Sequence, residues 1–332
     1  YNPYWGYQNG KVRNSRVVND FAPTALFTWD WNINKTMKLT TSLSGKYAMY
    51  SSTKLNYSNS ENPQPDYWKN LPSSYYDVWN TKDASNRTDG NLEDWNTAYN
   101  YMKASEYNRQ IQWDKLYYVN QHLQTGSDAM YYIQAKHNDQ LAINLTSSLR
   151  INLTKHSTYN VGVNLSTNKG LHYQTMEDLL GASTYHNINT YALGTYASSS
   201  NEVQYDLNHP NQVISEGDKF GYNYNIFVNK ANAWMGYTLD KGIFHSFINA
   251  KIGGTNMQRE GKMRNGLAAN NSYGKSGTAH FLDGGAKIGT NINMGRGNTI
   301  VLGAGYEWIA PLASTAFASP EINNDFVQNL KC

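Results

Sequence analysis

Residues 24–52 place the strongest constraint on what this chain can form, because apolar and polar side chains alternate along two arms joined by a very short turn. One parity of each arm is almost entirely apolar: Ala25, Phe27, Trp29, Trp31 and Ile33, then Met37, Leu39, Leu43, Tyr47 and Met49. Successive side chains of a strand point to opposite faces. The pattern therefore predicts a β-hairpin with one apolar face and one face of hydroxyl and charged groups.

The composition fits two classes of all-β protein. Mean hydropathy is −0.68 and only 39% of the residues are hydrophobic, yet 27 Tyr and 9 Trp raise the aromatic fraction to 14%. Transmembrane β-barrels combine an apolar, aromatic outer band with a polar interior and polar loops, so their mean hydropathy is low. A soluble all-β protein with tyrosine-rich loops has the same averages, and composition leaves both classes open.

Other functional classes are disfavoured by charge and motif. The net charge is only +3 and no cluster of Lys or Arg is present, so we expect no nucleic-acid partner. The sequence contains no apolar run of about 18 residues, so no membrane-spanning helix is expected. The eight histidines are scattered without a metal-binding spacing. We therefore predict no enzyme activity, no cofactor and no metal site.

The same alternation recurs in three further hairpins, so the sequence predicts eight antiparallel strands. These strands span residues 17–33, 37–57, 129–153, 157–173, 219–239, 243–257, 278–294 and 299–309. In the third hairpin the apolar parity shifts near Asn229 and Lys230, which predicts a β-bulge.

Long polar segments follow each hairpin, at residues 58–128, 174–218, 258–277 and 310–332. The first is far longer than an ordinary loop, which indicates a folded cap or a functional loop. Within it, residues 92–104 and 111–123 are predicted to form short helices.

Tight turns thus alternate with long loops four times, which is typical of outer-membrane barrels, whereas soluble sandwiches mix loop lengths at both ends. Aromatic residues near the strand ends match the two interfacial girdles of such barrels. The predicted girdle residues are Trp29, Trp31, Tyr47, Trp234, Tyr237, Tyr306 and Trp308. Tyr222 and Tyr224 are also expected on the apolar face. We predict an all-β transmembrane antiparallel β-barrel with about eight strands in this chain and long extracellular loops.

Two sets of side chains are the candidate functional residues. Charged residues of the polar parity are predicted to face the lumen: Asp30, Lys38, Lys46, Arg150, Asp283 and Lys287. Aromatic residues of the long loop are candidates for stacking on sugar rings or peptide side chains, or for contact with a surface lipoprotein: Tyr67, Trp68, Tyr75, Tyr76, Trp79, Trp95 and Trp113. The alternative for the second set is that these side chains pack the loop against itself.

Four stretches of the sequence resemble the TonB-dependent outer-membrane receptors of Bacteroides-type bacteria. They are NPYWGYQNGKVRNSR at 2–16, APTALFTWDWNIN at 22–34, KLTTSLSGKYAMYSSTKLNY at 38–57 and NNDFVQNLK at 323–331. The resemblance implies a barrel of about 22 strands preceded by a signal peptide and a plug domain. The present chain is expected to be an interior part of that barrel, without plug domain or signal peptide.

The same resemblance implies a function and a location. We expect TonB-dependent import of a nutrient, either a glycan, a peptide or a metal complex, across the bacterial outer membrane. Its implied partners are outer-membrane lipid, TonB acting through a plug domain that this chain lacks, and a surface lipoprotein that caps the barrel. The alternatives are a self-contained eight-stranded barrel acting as an adhesin or structural protein, and a soluble carbohydrate-binding β-domain.

Overall fold

A computed structural model describes residues 3–327, of which one large antiparallel sheet is the main element. Strand accounts for 51% of the chain and helix for 17%, so the fold is mostly antiparallel β. The strands are β1 (Trp5–Gln8), β2 (Lys11–Asn14), β3 (Val18–Phe21), β4 (Thr24–Asn32), β5 (Met37–Tyr57), β6 (Tyr131–Thr154), β7 (Ser157–Asp178), β8 (Lys219–Lys241), β9 (Phe244–Gly261), β10 (Gly274–Lys275), β11 (Ala279–Gly295) and β12 (Asn298–Trp308). The helices are α1 (Pro72–Trp79), α2 (Asp89–Ala104), α3 (Trp113–Gln121) and α4 (Ala313–Ala316).

The sheet follows the order of the chain. Its path is β12, β11, β9, β8, β7, β6, β5 and then β3, while β4 pairs with β5 beside β3 and the short β10 pairs with β9. All eight predicted strands are present, and the first is divided into β3 and β4 at Ala22 and Pro23. Among the described strands, the edge formed by β3 and β4 does not pair with β12 at the other edge.

All four tight turns lie at one end of the sheet, because neighbouring strands are antiparallel and consecutive. The last of them, between β11 and β12, places Gly295, Arg296 and Gly297 at positive φ of 76°, 53° and 81°. Glycine adopts this region without the steric cost that other residues pay. The long connections therefore emerge together at the opposite end, which we call the loop end.

Two adjacent rows of paired residues define the faces of the sheet. One row crosses eight strands and is apolar throughout: Trp31, Leu39, Leu149, Val161, Met235, Ala250, Ala286 and Tyr306. The next row, one residue along each strand, is polar or glycine except for one tryptophan: Asp30, Thr40, Ser148, Gly162, Trp234, Lys251, Gly285 and Glu307. We call the two sides the apolar face and the polar face.

The apolar face is open away from the loop end. Phe27 is 66% exposed, Ile252 61% and Leu282 62%, although each lies within a strand. No described element covers these side chains.

The predicted bulge near Asn229 and Lys230 is wrong. The pairing of β8 with β7 and with β9 runs through both residues without a register shift. The apolar residues of β8 lie on one face of the sheet before Asn229 and on the other face after Lys230, so the parity changes without an inserted residue. Tyr222 and Tyr224 therefore lie on the polar face, contrary to the prediction, and Tyr224 is buried there.

That reversal has a packing cause, since segments from the loop end cover the polar face. One buried cluster joins Tyr132, Met176 and Phe220 of the strands to Tyr185 and Ile214 of the connection between β7 and β8. A second joins Tyr224, Ile226 and Met257 to Ala310, Ala316 and Phe317, which follow β12. Apolar side chains therefore lie on the face of the sheet that other segments of the chain cover.

The connection between β5 and β6 covers the apolar face instead. Leu55 and Ile133, from these two strands, are buried with Ile111, Trp113 and Leu116. Both predicted helices are present as α2 and α3. The sequence did not predict α1, where Pro72 occupies the first helical position and is compatible with helix initiation. Within residues 3–327, no helix combines the length and apolar character needed to cross a membrane.

Strands β1 and β2 form a further hairpin, outside the eight predicted strands. Its turn is Asn9-Gly10, with positive φ of 49° and 75° at the two residues. This dipeptide is a strong local signal for a two-residue hairpin turn. Gly6 of β1 is required by close packing, because a Cβ there would lie 1.9 Å from the carbonyl oxygen of Ile111.

Trp113 anchors the long connection to the sheet, and its removal tests that role. The side chain is 0% exposed, and its indole N–H donates to the carbonyl oxygen of Arg13 at 3.2 Å. We expect Trp113→Ala to cost about 3–5 kcal/mol through the cavity it leaves. Limited proteolysis within residues 58–128 should therefore become more than about 100-fold faster, since each 1.4 kcal/mol changes the open population tenfold.

The matched control is Trp68→Ala in the same segment, where the side chain is 62% exposed. This substitution should change stability by no more than about 0.5 kcal/mol. Equal cleavage rates for the two variants would contradict the assignment of Trp113 as the anchor.

Candidate ligand site on the polar face

The six charged residues predicted to face a lumen all lie on the polar face of the sheet, as the register of their strands shows. The Nζ atom of Lys38 lies 3.2 Å from Asp30 Oδ1, and Lys287 Nζ lies 3.6 Å from Glu307 Oε2. Lys251 also pairs with Glu307. The polar face thus carries partly exposed ion pairs rather than a uniform field of one sign.

The predicted girdle residues divide between the two faces. Trp29, Trp31, Tyr47, Tyr237, Tyr306 and Trp308 lie on the apolar face, and the rings of Trp29 and Trp31 stack with centroids 5.8 Å apart. Trp234 is the exception to this prediction. It lies on the polar face of β8, whereas its neighbours Ala233 and Met235 lie on the apolar face. Its ring lies over Gly162 on the polar face, where a Cβ would approach the ring to 2.7 Å.

The predicted ligand-binding aromatics do not form one site. Trp113 is a fully buried core residue and is inaccessible to a ligand, so the prediction that it binds one is wrong. The Trp79 and Trp95 rings stack at 5.8 Å, and Tyr76 contacts Trp95 edge-on at 4.8 Å, so these three side chains pack α1 against α2.

The three remaining candidates are placed differently. Tyr67 contacts the largely exposed Trp68 edge-on, with ring centroids 6.3 Å apart. Tyr75 lines a cavity beside the two helices.

A separate cavity of about 510 Å³ lies on the polar face at the loop end, and we call it the phenolic cavity. Its floor is formed by side chains of β5 to β8. Its roof is formed by the connections between β7 and β8 and between β9 and β10, together with residues after β12. Six tyrosines line it: Tyr57, Tyr132, Tyr185, Tyr191, Tyr205 and Tyr222. Cavities of this size commonly hold small molecules.

Hydrogen bonds fix the orientation of the central rings. The side-chain amide of Asn56 donates to the Tyr132 hydroxyl at 3.0 Å and to Gln134 Oε1 at 3.1 Å. The Tyr185 hydroxyl also donates to Tyr132 at 3.0 Å, and the two ring centroids are 4.6 Å apart. Strand and roof are therefore joined by a defined network of neutral groups.

Two lysines supply positive charge at the floor. Lys54 of β5 and Lys136 of β6 lie on the polar face, and Lys136 Nζ lies 5.7 Å from the Tyr222 ring centroid. Neither lysine forms an ion pair with another described residue within 4.0 Å. Glu321 is the one carboxylate among the described lining residues.

Burial keeps the phenols of Tyr185 and Tyr205 protonated. It raises the pKa of Tyr205 to about 12 and raises the pKa of Tyr185 still further, with the neighbouring Tyr132 adding to the second shift. Both hydroxyls therefore remain neutral donors and acceptors at physiological pH. The site offers ring faces, neutral hydroxyls and two ammonium groups, which suits a ligand with a ring or planar surface and oxygen acceptors.

The sequence did not predict this site, although it contained one signal for it. The apolar parity of β8 changes near Asn229 and Lys230. Tyr222 and Tyr224 precede this change and lie on the part of the polar face that the loops cover. Tyr132, Tyr185 and Lys136 gave no signal of their own, because segments far apart in the chain bring them together.

Comparison of the chain with protein-family models gave no match, and comparison with curated proteins gave none either.

The raised pKa of Tyr185 predicts a loss of stability at alkaline pH. Above the ordinary tyrosine pKa of about 10, the unfolded chain releases this proton while the folded chain retains it. The contribution of the hydroxyl to stability is therefore complete below pH of about 10 and then falls by about 1.4 kcal/mol per pH unit. The difference in the free energy of unfolding between the unaltered chain and Tyr185→Phe should be constant between about pH 7 and 9. It should then shrink as the pH rises from about 10 to 11.5.

Thermal unfolding followed by circular dichroism measures this difference. Tyr191→Phe is the matched control, since Tyr191 lines the same cavity but is 90% exposed. A difference for Tyr185→Phe that stays flat across the whole range would contradict the buried state of the hydroxyl.

Proposed function

We propose that this chain forms part of the wall of a TonB-dependent outer-membrane receptor that imports a nutrient, either a glycan, a peptide or a metal complex. In this proposal the apolar face contacts lipid and the polar face lines the lumen. The tight turns are periplasmic, and the loop end is extracellular.

The exposed apolar row is the observation that carries the proposal. Its members pair directly across eight strands, and the apolar face around them has no protein cover away from the loop end. Soluble monomers rarely expose contiguous apolar patches above a few hundred Å². An alternation of apolar and polar faces along every strand is the pattern of a barrel wall between lipid and a hydrated interior.

The stagger of the sheet adds support. The apolar row lies progressively further from the C-terminal ends of these strands. It is one residue before the end of β4, five before the end of β6, six before the end of β8 and nine before the end of β11. The strands are therefore inclined to the line of tight turns. Inclined strands with a progressive register shift are the geometry of barrels.

The open edges favour a larger barrel over a self-closed one. Edge strands β4 and β12 do not pair with each other in the described chain. Unpaired backbone groups cannot face lipid, because nothing there satisfies their hydrogen bonds. The proposed barrel therefore includes further strands beyond both edges, which counts against an isolated eight-stranded adhesin.

The partners follow from this arrangement. The phenolic cavity lies at the extracellular end of the lumen, where an arriving solute is first bound. A surface lipoprotein capping the barrel would contact the same loop end. Energy from TonB would reach the barrel through a plug domain outside these 332 residues.

Cysteine labelling of two neighbouring residues tests the membrane assignment. Ile288 on the apolar face and Lys287 on the polar face are similarly exposed, so a soluble protein would react at both. In a Cys332→Ser background in isolated outer membranes, we expect a lipid-soluble maleimide to label Ile288→Cys. A membrane-impermeant maleimide should label Lys287→Cys at least about tenfold faster than Ile288→Cys, since lipid excludes the charged reagent.

Trp68→Cys, in the long connection, is the accessible control and should react with the impermeant reagent on intact cells. Equal impermeant labelling of the two strand positions would overturn the membrane assignment. The import function is tested separately, by comparing uptake of the nutrient in cells with and without TonB.

A further inference from the structure

A second cavity, of about 540 Å³, adjoins the phenolic cavity at β5 and β6. Three cationic side chains line it, Arg16, Lys54 and Lys136, and we call it the basic cavity. Lys54 and Lys136 also line the phenolic cavity, so the two cavities meet at these side chains. The junction therefore joins a tyrosine-lined space to a cationic one.

The three cations at the junction make no ion pair within residues 3–327. Arg16, Lys54 and Lys136 are absent from every ion pair formed there. Each cavity is lined by one carboxylate, Asp66 in the basic cavity and Glu321 in the phenolic cavity, and neither lies within 4.0 Å of a charged nitrogen of these cations. The positive charge at the junction is thus not neutralised by a contact within the described chain.

Strand register places the two lysines beside each other. Lys54 pairs with Gln134, and Lys136 lies two residues further along β6 on the same face. Diagonal neighbours of this kind are about 7–8 Å apart, and like charges on adjacent strands repel each other. An anion between the two ammonium groups would replace this repulsion with attraction.

The neutral polar groups around the junction are already used within the protein. The Tyr132 hydroxyl accepts hydrogen bonds from Asn56 and Tyr185. The side-chain oxygen of Asn265 accepts from the backbone N–H of Leu267 at 2.9 Å. The two ammonium groups are therefore the strongest donors that the cavity offers to a ligand, and a charged donor forms its strongest hydrogen bonds with an anionic acceptor.

Aromatic rings lie beside these cations. Lys136 Nζ is 5.7 Å from the centroid of the partly exposed Tyr222 ring, and the guanidinium carbon of Arg16 is 5.6 Å from that of Tyr4. In the roof, Tyr191 is 90% exposed. A planar ring can pack against such tyrosines while an attached carboxylate reaches the ammonium groups.

We propose that the junction of the two cavities binds a small aromatic carboxylate, with its ring in the phenolic cavity and its carboxylate between Lys54 and Lys136. This anionic class contains no sugar, peptide or metal, so it differs from the nutrients of the proposed function. The site is formed by the chain itself, and its test depends neither on the membrane assignment nor on TonB.

Titration calorimetry of the purified full chain tests the proposal, with cinnamate and benzoate as probes. We expect at least one of these acids to bind. The corresponding uncharged amides, cinnamamide and benzamide, should bind at least about tenfold more weakly, because they lack the charge. Acetate lacks the ring and should also bind at least about tenfold more weakly. Added salt should weaken binding of the acid, since it screens accessible charges.

Lys136→Gln tests the assigned contact and should weaken binding of the acid at least about tenfold. Lys54→Gln should weaken it in the same direction. The matched control is Lys46→Gln, since Lys46 lies on the same face of β5 but lines neither cavity. This control removes the same charge and should leave the affinity unchanged.

Thermal unfolding of the three variants should match that of the unaltered chain, because each replaces a solvent-accessible lysine with another polar residue. Failure of both acids to bind the unaltered chain would overturn the proposal, and so would equal affinity for the amides or for acetate. Full affinity in a folded double variant, Lys54→Gln with Lys136→Gln, would contradict the assigned position of the carboxylate.

Discussion

Strict alternation of side chains, held in register across eight strands, is the constraint on which the rest of this structure depends. The row from Trp31 to Tyr306 and the adjacent row from Asp30 to Glu307 differ by one residue in every strand. A slip of one position in any strand would exchange its apolar and polar faces. Because the two rows stay separate, the sheet presents one apolar and one polar surface.

The alternation ends where the long connections begin, and their cover determines the change. In β8 the apolar parity passes from Met235 and Ala233 on one face to Ile226 and Tyr224 on the other, with no bulge between them. Covered strand ends behave like an ordinary protein core, in which apolar groups are placed wherever protein excludes water. The same strands therefore have an open apolar half and a packed half beneath the loops.

This division explains what the sequence could predict. Period-two alternation is local, so all eight strands, the four tight turns and the polar parity of Asp30 or Lys287 were predictable from short windows. The Asn9-Gly10 hairpin was also predictable, since its turn chemistry is local, but its short arms alternate weakly. The face of Tyr222 and the burial of Trp113 depend on segments distant in sequence. The phenolic cavity escaped prediction for that reason, because it is enclosed by such segments.

Arg13 shows how the covering segments keep fixed positions on both faces. Its guanidinium donates to Asp178 at the end of β7 at 2.5 Å and to Tyr117 of α3 at 2.9 Å, and it lies 4.5 Å from the centre of the Trp113 ring. Asp178 leads directly into the connection that roofs the phenolic cavity, while α3 belongs to the connection that covers the apolar face. One half-buried cation thus anchors both covers to the same strand end.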